Sequence, residues 1–244
     1  MNINFEGKRI LVTGAGQGIG KELALRLSKY GGQVVALSKT KRNLEMLCAE
    51  DPRIQTVCVD LSDWDATREA VQTVLPIDLL VNNAAVARLN AFFDTTPEDF
   101  DSTFTINVKS VLNVSQVVAK NMIDRKINGS IVNLSSQASQ AALKDHAVYC
   151  ASKGAVDMLS KTMALELGPH NIRVNTVNPT VIMTEMGKLG WSDPEKARTM
   201  LSKIPLGRFG EVSEVIDAIV YLLSDRSSMI NGVCLPVDGG FLAM

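Results

Sequence analysis

Three observations predict an α/β fold: a single-domain, Rossmann-type, doubly wound parallel sheet of about seven strands with helices on both faces. Short β-branched runs alternate with stretches of helical period along the chain. The first run opens onto a glycine-rich turn and a helix, the arrangement of a nucleotide-binding βα unit. The 244 residues, 46% of them hydrophobic, suit one sizeable core spanning 1–244.

Taken in order, Arg9–Thr13 (RILVT) is a strand, and the helix after it repeats Ile19, Leu23 and Leu27 on one side. Strand 34–37, a polar helix near 43–49, strand 56–59, helix 64–74 and strand 79–81 follow. A long helix is expected from 97 to about 125, then strand 130–134, a second long helix at about 147–167 and strand 172–177. Helix 212–223 and strand 233–237 close the pattern. The segment from about 179 to 208, rich in Gly, Pro, Met and charge, reads as a long irregular excursion that serves as a substrate lid. Parallel strands joined by helices require right-handed crossovers, which cover both faces and leave ligands at the carboxyl ends of the strands. The two long helices read apolar on more than one face, which implies self-association.

Composition narrows the function. With 25 basic and 26 acidic residues the net charge is −1, so no global field attracts a nucleic acid. No apolar run approaches the roughly 20 residues of a membrane span, and the amino end lacks a signal-peptide core, so a cytoplasmic protein is expected. Cys48, Cys58, Cys150 and Cys234 form no C-x-x-C pair, and the two histidines, His146 and His170, stand apart. Neither a disulfide framework nor a metal site is expected.

The turn after the first strand reads Gly14-Ala15-Gly16-Gln17-Gly18-Ile19-Gly20. Ile19 occupies the third glycine position of G-x-G-x-x-G, so the better pattern is Gly14-x-x-x-Gly18-x-Gly20. Glycines let the backbone approach a pyrophosphate, and the helix amino end behind them favours negative charge. From 33 to 44 there is no acid to hold a ribose 2′-hydroxyl; Ser38, Lys39, Thr40, Lys41 and Arg42 gather there instead. Hydrogen bonds between charged partners contribute roughly 1.5 to 3 kcal/mol each, so the cluster predicts NADP(H), with Ser38 and Lys39 as the main contacts.

Tyr149 and Lys153, four apart in a helical segment, share one face. A nearby ammonium is expected to lower the phenol from its usual pKa of about 10 and make it a usable proton donor. Ser135 and Ser136 end the strand SIVNL, placing a hydroxyl of Ser136 where it can orient a carbonyl oxygen.

Together the glycine motif, Asn82-Asn83-Ala84-Ala85, Asn107, Ser136 and Tyr149-x-x-x-Lys153 resemble a short-chain dehydrogenase/reductase over nearly the whole chain. The resemblance implies that Tyr149 is the general acid, Ser136 polarises the carbonyl, Lys153 binds the nicotinamide ribose and tunes Tyr149, and Asn107 anchors a water-linked proton relay. It assigns Asp60 and Asn83 to the adenosine side, with Leu61, Ala84 and Ala85 beside them, and Pro179, Val181, Ile182 and Thr184 to the nicotinamide. Two positions depart from the usual pattern: Ala85 and Thr180 stand where glycine is frequent. The stretches VCVDLSDWDAT, HAVYCASKGAVDML and NPTVIMT are similar to those of members that reduce small ketoses and α-dicarbonyls with NADPH, and the resemblance implies a homotetramer. Gln137, His146 and Trp191, with Ser136 and Tyr149, are candidates for the substrate pocket, offering an amide, an imidazole and an indole wall. Two other readings are a reductase of acyl-carrier thioesters, which needs a basic docking face, and a non-catalytic NADP-binding scaffold or redox sensor, which gains nothing from a tuned phenol.

Overall fold

The computed structural model describes residues 3–243. Seven parallel strands form one sheet: β1 (Arg9–Thr13), β2 (Gln33–Ser38), β3 (Gln55–Cys58), β4 (Leu79–Asn82), β5 (Gly129–Leu134), β6 (Ile172–Pro179) and β7 (Cys234–Val237). Their order is β3-β2-β1-β4-β5-β6-β7. The chain runs outward from β1 to β3, then returns to β4 on the other side of β1 and runs outward again. The order therefore reverses between β1 and β4, and a ligand crevice opens where their following loops part.

The helices are α1 (Gly18–Lys29), α2 (Lys41–Glu50), α3 (Trp64–Gln72), α4 (Pro97–Phe104), α5 (Ser110–Asp124), α6 (Ala147–Leu167), α7 (Glu185–Gly190), α8 (Pro194–Leu201) and α9 (Val212–Leu223). The pleat of β1 sorts its side chains between two cores. Ile10 and Val12 pack with Leu23 and Leu27 of α1 and with Val215 and Ile219 of α9. Leu11 packs on the opposite face with Val71 of α3 and Val114 and Val118 of α5. Strand β1, α6 and α9 keep the bounds read from sequence; the other expected strands and helices outside 97–125 differ by at most two residues at an end.

Two expectations are corrected. The stretch 97–125 is not one helix: α4 and α5 are separated by a π-helical turn, Thr105–Lys109. The turn carries β-branched Thr105, Ile106 and Val108, and the side chain of buried Asn107 bonds outside its own helix, to Val86 and Ser152. The excursion 179–208 is not irregular either, because it contains α7 and α8. Asp193 caps α8 by accepting from Glu195 N, and Pro194 stands at its start. Both helices are too short to show a period in sequence.

Asp78, immediately before β4, is buried and ties three elements together. Its carboxylate accepts from Arg9 N of β1 at 2.8 Å and pairs with Arg125 Nη2, just beyond α5, at 2.5 Å. Removing one member of a buried pair typically costs roughly 3 to 5 kcal/mol. Because the Arg125 side chain keeps 31% of its exposure, Asp78→Ala is expected to cost about 2 kcal/mol. Urea unfolding should show a lower midpoint with an unchanged slope.

Candidate active site

The crevice between β1 and β4 is built by one set of hydrogen bonds. Thr13 Oγ1, at the end of β1, accepts from Asn83 N at 3.0 Å and Ala84 N at 3.2 Å. The Asn83 amide answers by donating to Thr13 O at 2.9 Å and Gly14 O at 3.1 Å. This stitch leaves no room for side chains on the glycine turn. A Cβ on Gly20 would overlap Asn83 Nδ2 and Gly14 O, and one on Gly14 would lie 2.7 Å from Ala84 Cα. Gly18 differs: its φ is +56° and it faces open space, with only Thr184 Cγ2 in reach at 3.7 Å. There the backbone itself forms the wall of the crevice.

Two helix amino ends serve the same crevice. Helix α1 has no side-chain cap and no acid in its first turn, and α2 has neither as well. By contrast α3, α4 and α8 are capped by side chains and begin with acids. Uncapped ends present free N–H groups and a partial positive charge to an anion. Gly16 brings the turn against β2, since a Cβ there would stand 2.6 Å from Ser38 Oγ. Lys39 and Thr40 are exposed beside it. Asp60 lies across from them; a hydrogen bond from Ser62 N, and to a lesser degree the Lys39 charge, hold its carboxyl below the ordinary range.

A cavity of about 430 Å³ runs from this end to the middle of the sheet edge. Of the residues expected to bind the cofactor, Gly14, Gln17, Gly18, Ile19, Ser38, Lys39, Thr40, Asp60, Leu61, Asn83, Ala84, Ala85, Tyr149 and Thr184 line it. Gly16, Gly20, Lys153, Pro179, Val181 and Ile182 do not. The Ile182 side chain packs into the core, Val181 O accepts from Gly210 N, and Lys153 sits behind Tyr149. The lining also includes Asn43, Val59, Val86 and Ile106, which the sequence did not single out. Val86 arrives there because Asn107 clasps its main chain, accepting from Val86 N at 2.8 Å and donating to Val86 O at 2.9 Å. That pairing joins residues twenty-one apart and leaves no local pattern.

Helix α6 brings Tyr149 and Lys153 together. Lys153 Nζ is 5.7 Å from the centre of the Tyr149 ring and donates to Leu134 O, the last residue of β5, at 2.8 Å. Ser136, two residues beyond that carbonyl, acts on the Tyr149 phenol in the lowering direction. The Ser136 hydroxyl also accepts from Ala138 N at 3.1 Å. The expected electrostatics are corrected here. Burial raises the phenol above its ordinary value, opposed by the Ser136 hydroxyl, and no lowering by Lys153 emerges. Burial also acts on Lys153 and brings it down to about 8, against the pull of Asp157. Desolvation outweighs the ammonium–phenol attraction.

Of the substrate-pocket candidates only Tyr149 lines the cavity; Ser136, Gln137, His146 and Trp191 do not. The His146 ring meets Tyr149 edge-on with centroids 6.3 Å apart, and its Nδ1 donates to Lys144 O. Gln137 is buried at 2% exposure, and its Oε1 has no hydrogen-bond partner among the described residues. Asn107 Nδ2 also reaches Ser152 Oγ at 3.0 Å, so both its amide hydrogens are committed. Trp191 packs against Phe209 with centroids 5.4 Å apart and under Lys196, and it does not line the cavity.

A doubly wound sheet with an acid-free glycine turn at its switch point and a Ser–Tyr–Lys set beside it defines a dinucleotide-dependent oxidoreductase. A family model described as "Enoyl-(Acyl carrier protein) reductase" matches residues 14–242, and the chain belongs to the short-chain dehydrogenase/reductase family. It is 59% identical over 242 residues to an L-xylulose reductase of Mesocricetus auratus, covering 99% of each chain. It is 57% identical over 241 residues to a D-erythrulose reductase of Gallus gallus, covering 99% of this chain and 98% of that one. A crystal structure of a gluconate 5-dehydrogenase from Burkholderia cenocepacia in complex with NADP and tartrate superimposes with a TM-score of 0.94 at 31% identity, covering 100% and 98% of the two chains.

The Lys153 shift has a signed consequence for stability. Folding lowers the ammonium from its ordinary 10.5 to about 8, so between those values the unfolded chain binds more protons and stability rises with pH. The cost of the buried cation, roughly 3 kcal/mol from 1.36 kcal/mol per unit, is full below pH 8 and is gone above 10.5. Lys153→Met lacks this term. Without added dinucleotide, the stability of the Met variant relative to the parent should be greatest below pH 8 and should decline steadily toward pH 10.5.

Proposed function

We propose that the chain is an NADPH-dependent carbonyl reductase that interconverts L-xylulose and xylitol and also reduces α-dicarbonyls. The observation that carries this reading is the Tyr149 ring with the buried Lys153 ammonium 5.7 Å from its centre and the Ser136 hydroxyl acting on the phenol, at the edge of a nucleotide crevice. The names of its relatives, reductases of L-xylulose and D-erythrulose, supply the substrate class. Both are polyhydroxy ketones.

The crevice fits NADP(H) on its own geometry. Gly18 faces open space where a phosphate approaches, two helix ends lack caps, and Ser38, Lys39 and Thr40 form a cationic, hydroxyl-bearing end with no acid on β2 or its loop. Gly14, Gly16, Gln17, Gly18, Ile19 and Gly20 would hold the pyrophosphate, Ser38, Lys39 and Thr40 the 2′-phosphate, and Asp60, Leu61, Asn83, Ala84 and Ala85 the adenosine side. Lys153 would hold the nicotinamide ribose, with Pro179, Val181, Ile182 and Thr184 at the nicotinamide. Bound there, NADPH supplies the hydride that reduces the carbonyl carbon.

The protein handles the oxygen. Ser136 donates a hydrogen bond to it and fixes its position, while Tyr149 delivers a proton as negative charge develops. A phenol raised by burial stays protonated at neutral pH, which suits the reductive direction. Asn107 holds Val86 and Ser152 in place, so any proton relay through this residue runs through its main chain rather than its committed amide. Gln137, whose buried Oε1 has no partner among the described residues, and His146, whose Nδ1 is engaged and Nε2 is left over, are the candidates for substrate hydroxyls. Trp191 joins the pocket only through closure of α7 and α8 over the crevice.

No described helix is long and apolar enough to cross a membrane, and we place the protein in the cytoplasm. Leu112 on α5 and Met158 and Leu165 on α6 are exposed. These helices support a homotetramer.

Following NADPH absorbance with L-xylulose, diacetyl and an acetoacetyl thioester tests the substrate class. Turnover of the first two supports the reading; turnover of the thioester alone assigns the chain to acyl reduction instead. Tyr149→Phe is expected to lower kcat by roughly 10²- to 10⁴-fold with NADPH affinity retained. Lys39→Ala should weaken NADPH by roughly 10- to 100-fold and leave NADH unchanged, as measured by fluorescence titration of each nucleotide.

A further inference from the structure

Asp157 is a buried acid that the proposed reaction does not use. It follows Lys153 by one turn of α6, is 7% exposed, and has no salt bridge among the described residues. A carboxylate in that position is costly unless the surroundings are arranged around it. They are.

Asn178, near the end of β6, is fully buried and points its amide at Asp157. Asn178 Nδ2 lies 3.1 Å from Asp157 Oδ1 and 2.9 Å from Oδ2. The same nitrogen lies 2.9 Å from Ser139 Oγ and 3.3 Å from Ser136 O. Two hydrogens thus serve four acceptors, and the amide cannot flip to relieve this, because the flip would set Oδ1 against the acceptor-only carboxylate of Asp157; as it stands Asn178 Oδ1 accepts from Thr176 Oγ1 at 2.6 Å. The amide is a junction between α6 and the loop after β5. On the other side, one helical turn along α6, Asp157 is the charged group among the described residues that acts on the Lys153 ammonium, and it acts to keep the proton on. Around Lys153 stand Tyr149 and Asp157 from α6 and Leu134 O from β5. Around Asp157 stand Lys153 from the same helix and the Cys234 thiol of β7, which burial first and then the Asp157 charge push up, with Lys161 opposing.

We infer that Asp157 is a positioning residue: through Asn178 its carboxylate anchors the loop that carries Ser136, and through space it holds the Lys153 ammonium. One buried acid thereby sets both partners of Tyr149. The inference rests on the reductase reading for its meaning, yet its first test needs no turnover.

Nitrogen-15 lysine spectra of the protein without dinucleotide, with Lys153→Met to assign the signal, give the Lys153 titration directly. The midpoint is expected near 8 in the parent and roughly one unit lower in Asp157→Asn, which keeps an acceptor for Asn178 but removes the charge. The alkaline limb of kcat/KM should move with it. Asp157→Glu, which retains the charge, should restore the midpoint and also serves if the Asn variant does not fold. Asn178→Ala should leave the midpoint in place and lower kcat about 10-fold, with KM for NADPH within about twofold of the parent, because the Ser136 loop loses its anchor. An unmoved midpoint in Asp157→Asn, or an unchanged kcat in Asn178→Ala, overturns the assignment. Failure of the parent to reduce any ketone would count against the reductase reading alone, since the lysine titration is read without substrate.

Discussion

The reciprocal bonding of Thr13 and Asn83 is the constraint on which the rest of the site depends. At the switch point of a doubly wound sheet, two neighbouring strands send their chains in opposite directions, and neither ladder continues to satisfy the backbone groups that follow. Here a hydroxyl accepts two N–H groups from the start of the β4 loop and an amide donates to two carbonyls of the β1 turn. The turn is thereby fixed against β4 so closely that Gly14 and Gly20 admit no side chain. With that contact made, α1 begins where its free N–H groups face the crevice, and Gly16 is carried to Ser38. The nucleotide end of the cavity follows from a single stitch.

A second layer of polar bonds holds the chemistry in register with that stitch. Asn82 of β4 and Asn133 of β5 are paired in the ladder, and Asn82 Nδ2 donates to Asn133 Oδ1 at 2.8 Å and to Ser115 Oγ at 2.9 Å. Asn133 passes the connection on to Ser160 of α6 at 2.8 Å. Ser135 Oγ reaches Lys153 O, Lys153 Nζ reaches Leu134 O, and Asn107 reaches Ser152. Helix α6 is therefore bolted to the sheet by directional bonds along the face that carries Tyr149, where an apolar contact would tolerate sliding. The segment with α7 and α8 is held differently: in α8 only Met200 is buried.

How much of this was legible depended on whether the cause lay within a few residues. Strand β1 and helices α6 and α9 were read with their bounds, because β-branched runs and helical spacing are local signals. The glycine turn, the Ser38–Lys39–Thr40 run and the Tyr149–Lys153 spacing are likewise local, and the structure brings Gly14, Gly18, that run and Tyr149 to one cavity, with Lys153 behind the phenol. The π-helical turn at Thr105–Lys109 was not readable, since it depends on Asn107 meeting Val86 and Ser152 across the fold. Nor was the direction of the Tyr149 shift. Spacing showed that a cation was near, but the larger influence is burial, a property of everything packed around the helix. Asp157 leaves no local signal for the same reason: its partner Asn178 lies on strand β6, across the fold from α6.

Burial presses both members of the Tyr149–Lys153 pair toward their neutral forms, the phenol upward and the ammonium downward. For the phenol this is useful, because a protonated tyrosine is the form that can give up a proton to a developing alkoxide. For the lysine it is harmful, because a neutral amine neither attracts anionic or hydroxylated ligands strongly nor stabilises the phenolate left behind. The same dry environment that strengthens each interaction in the site would thus disarm one of its groups. The resolution is asymmetric: on Tyr149 only the Ser136 hydroxyl opposes burial, whereas Lys153 receives a carbonyl and the field of a buried carboxylate. Lys153 at about 8 is still mostly charged at neutral pH, so the pair rests as a neutral acid beside a cation, the protonation state that reduction requires.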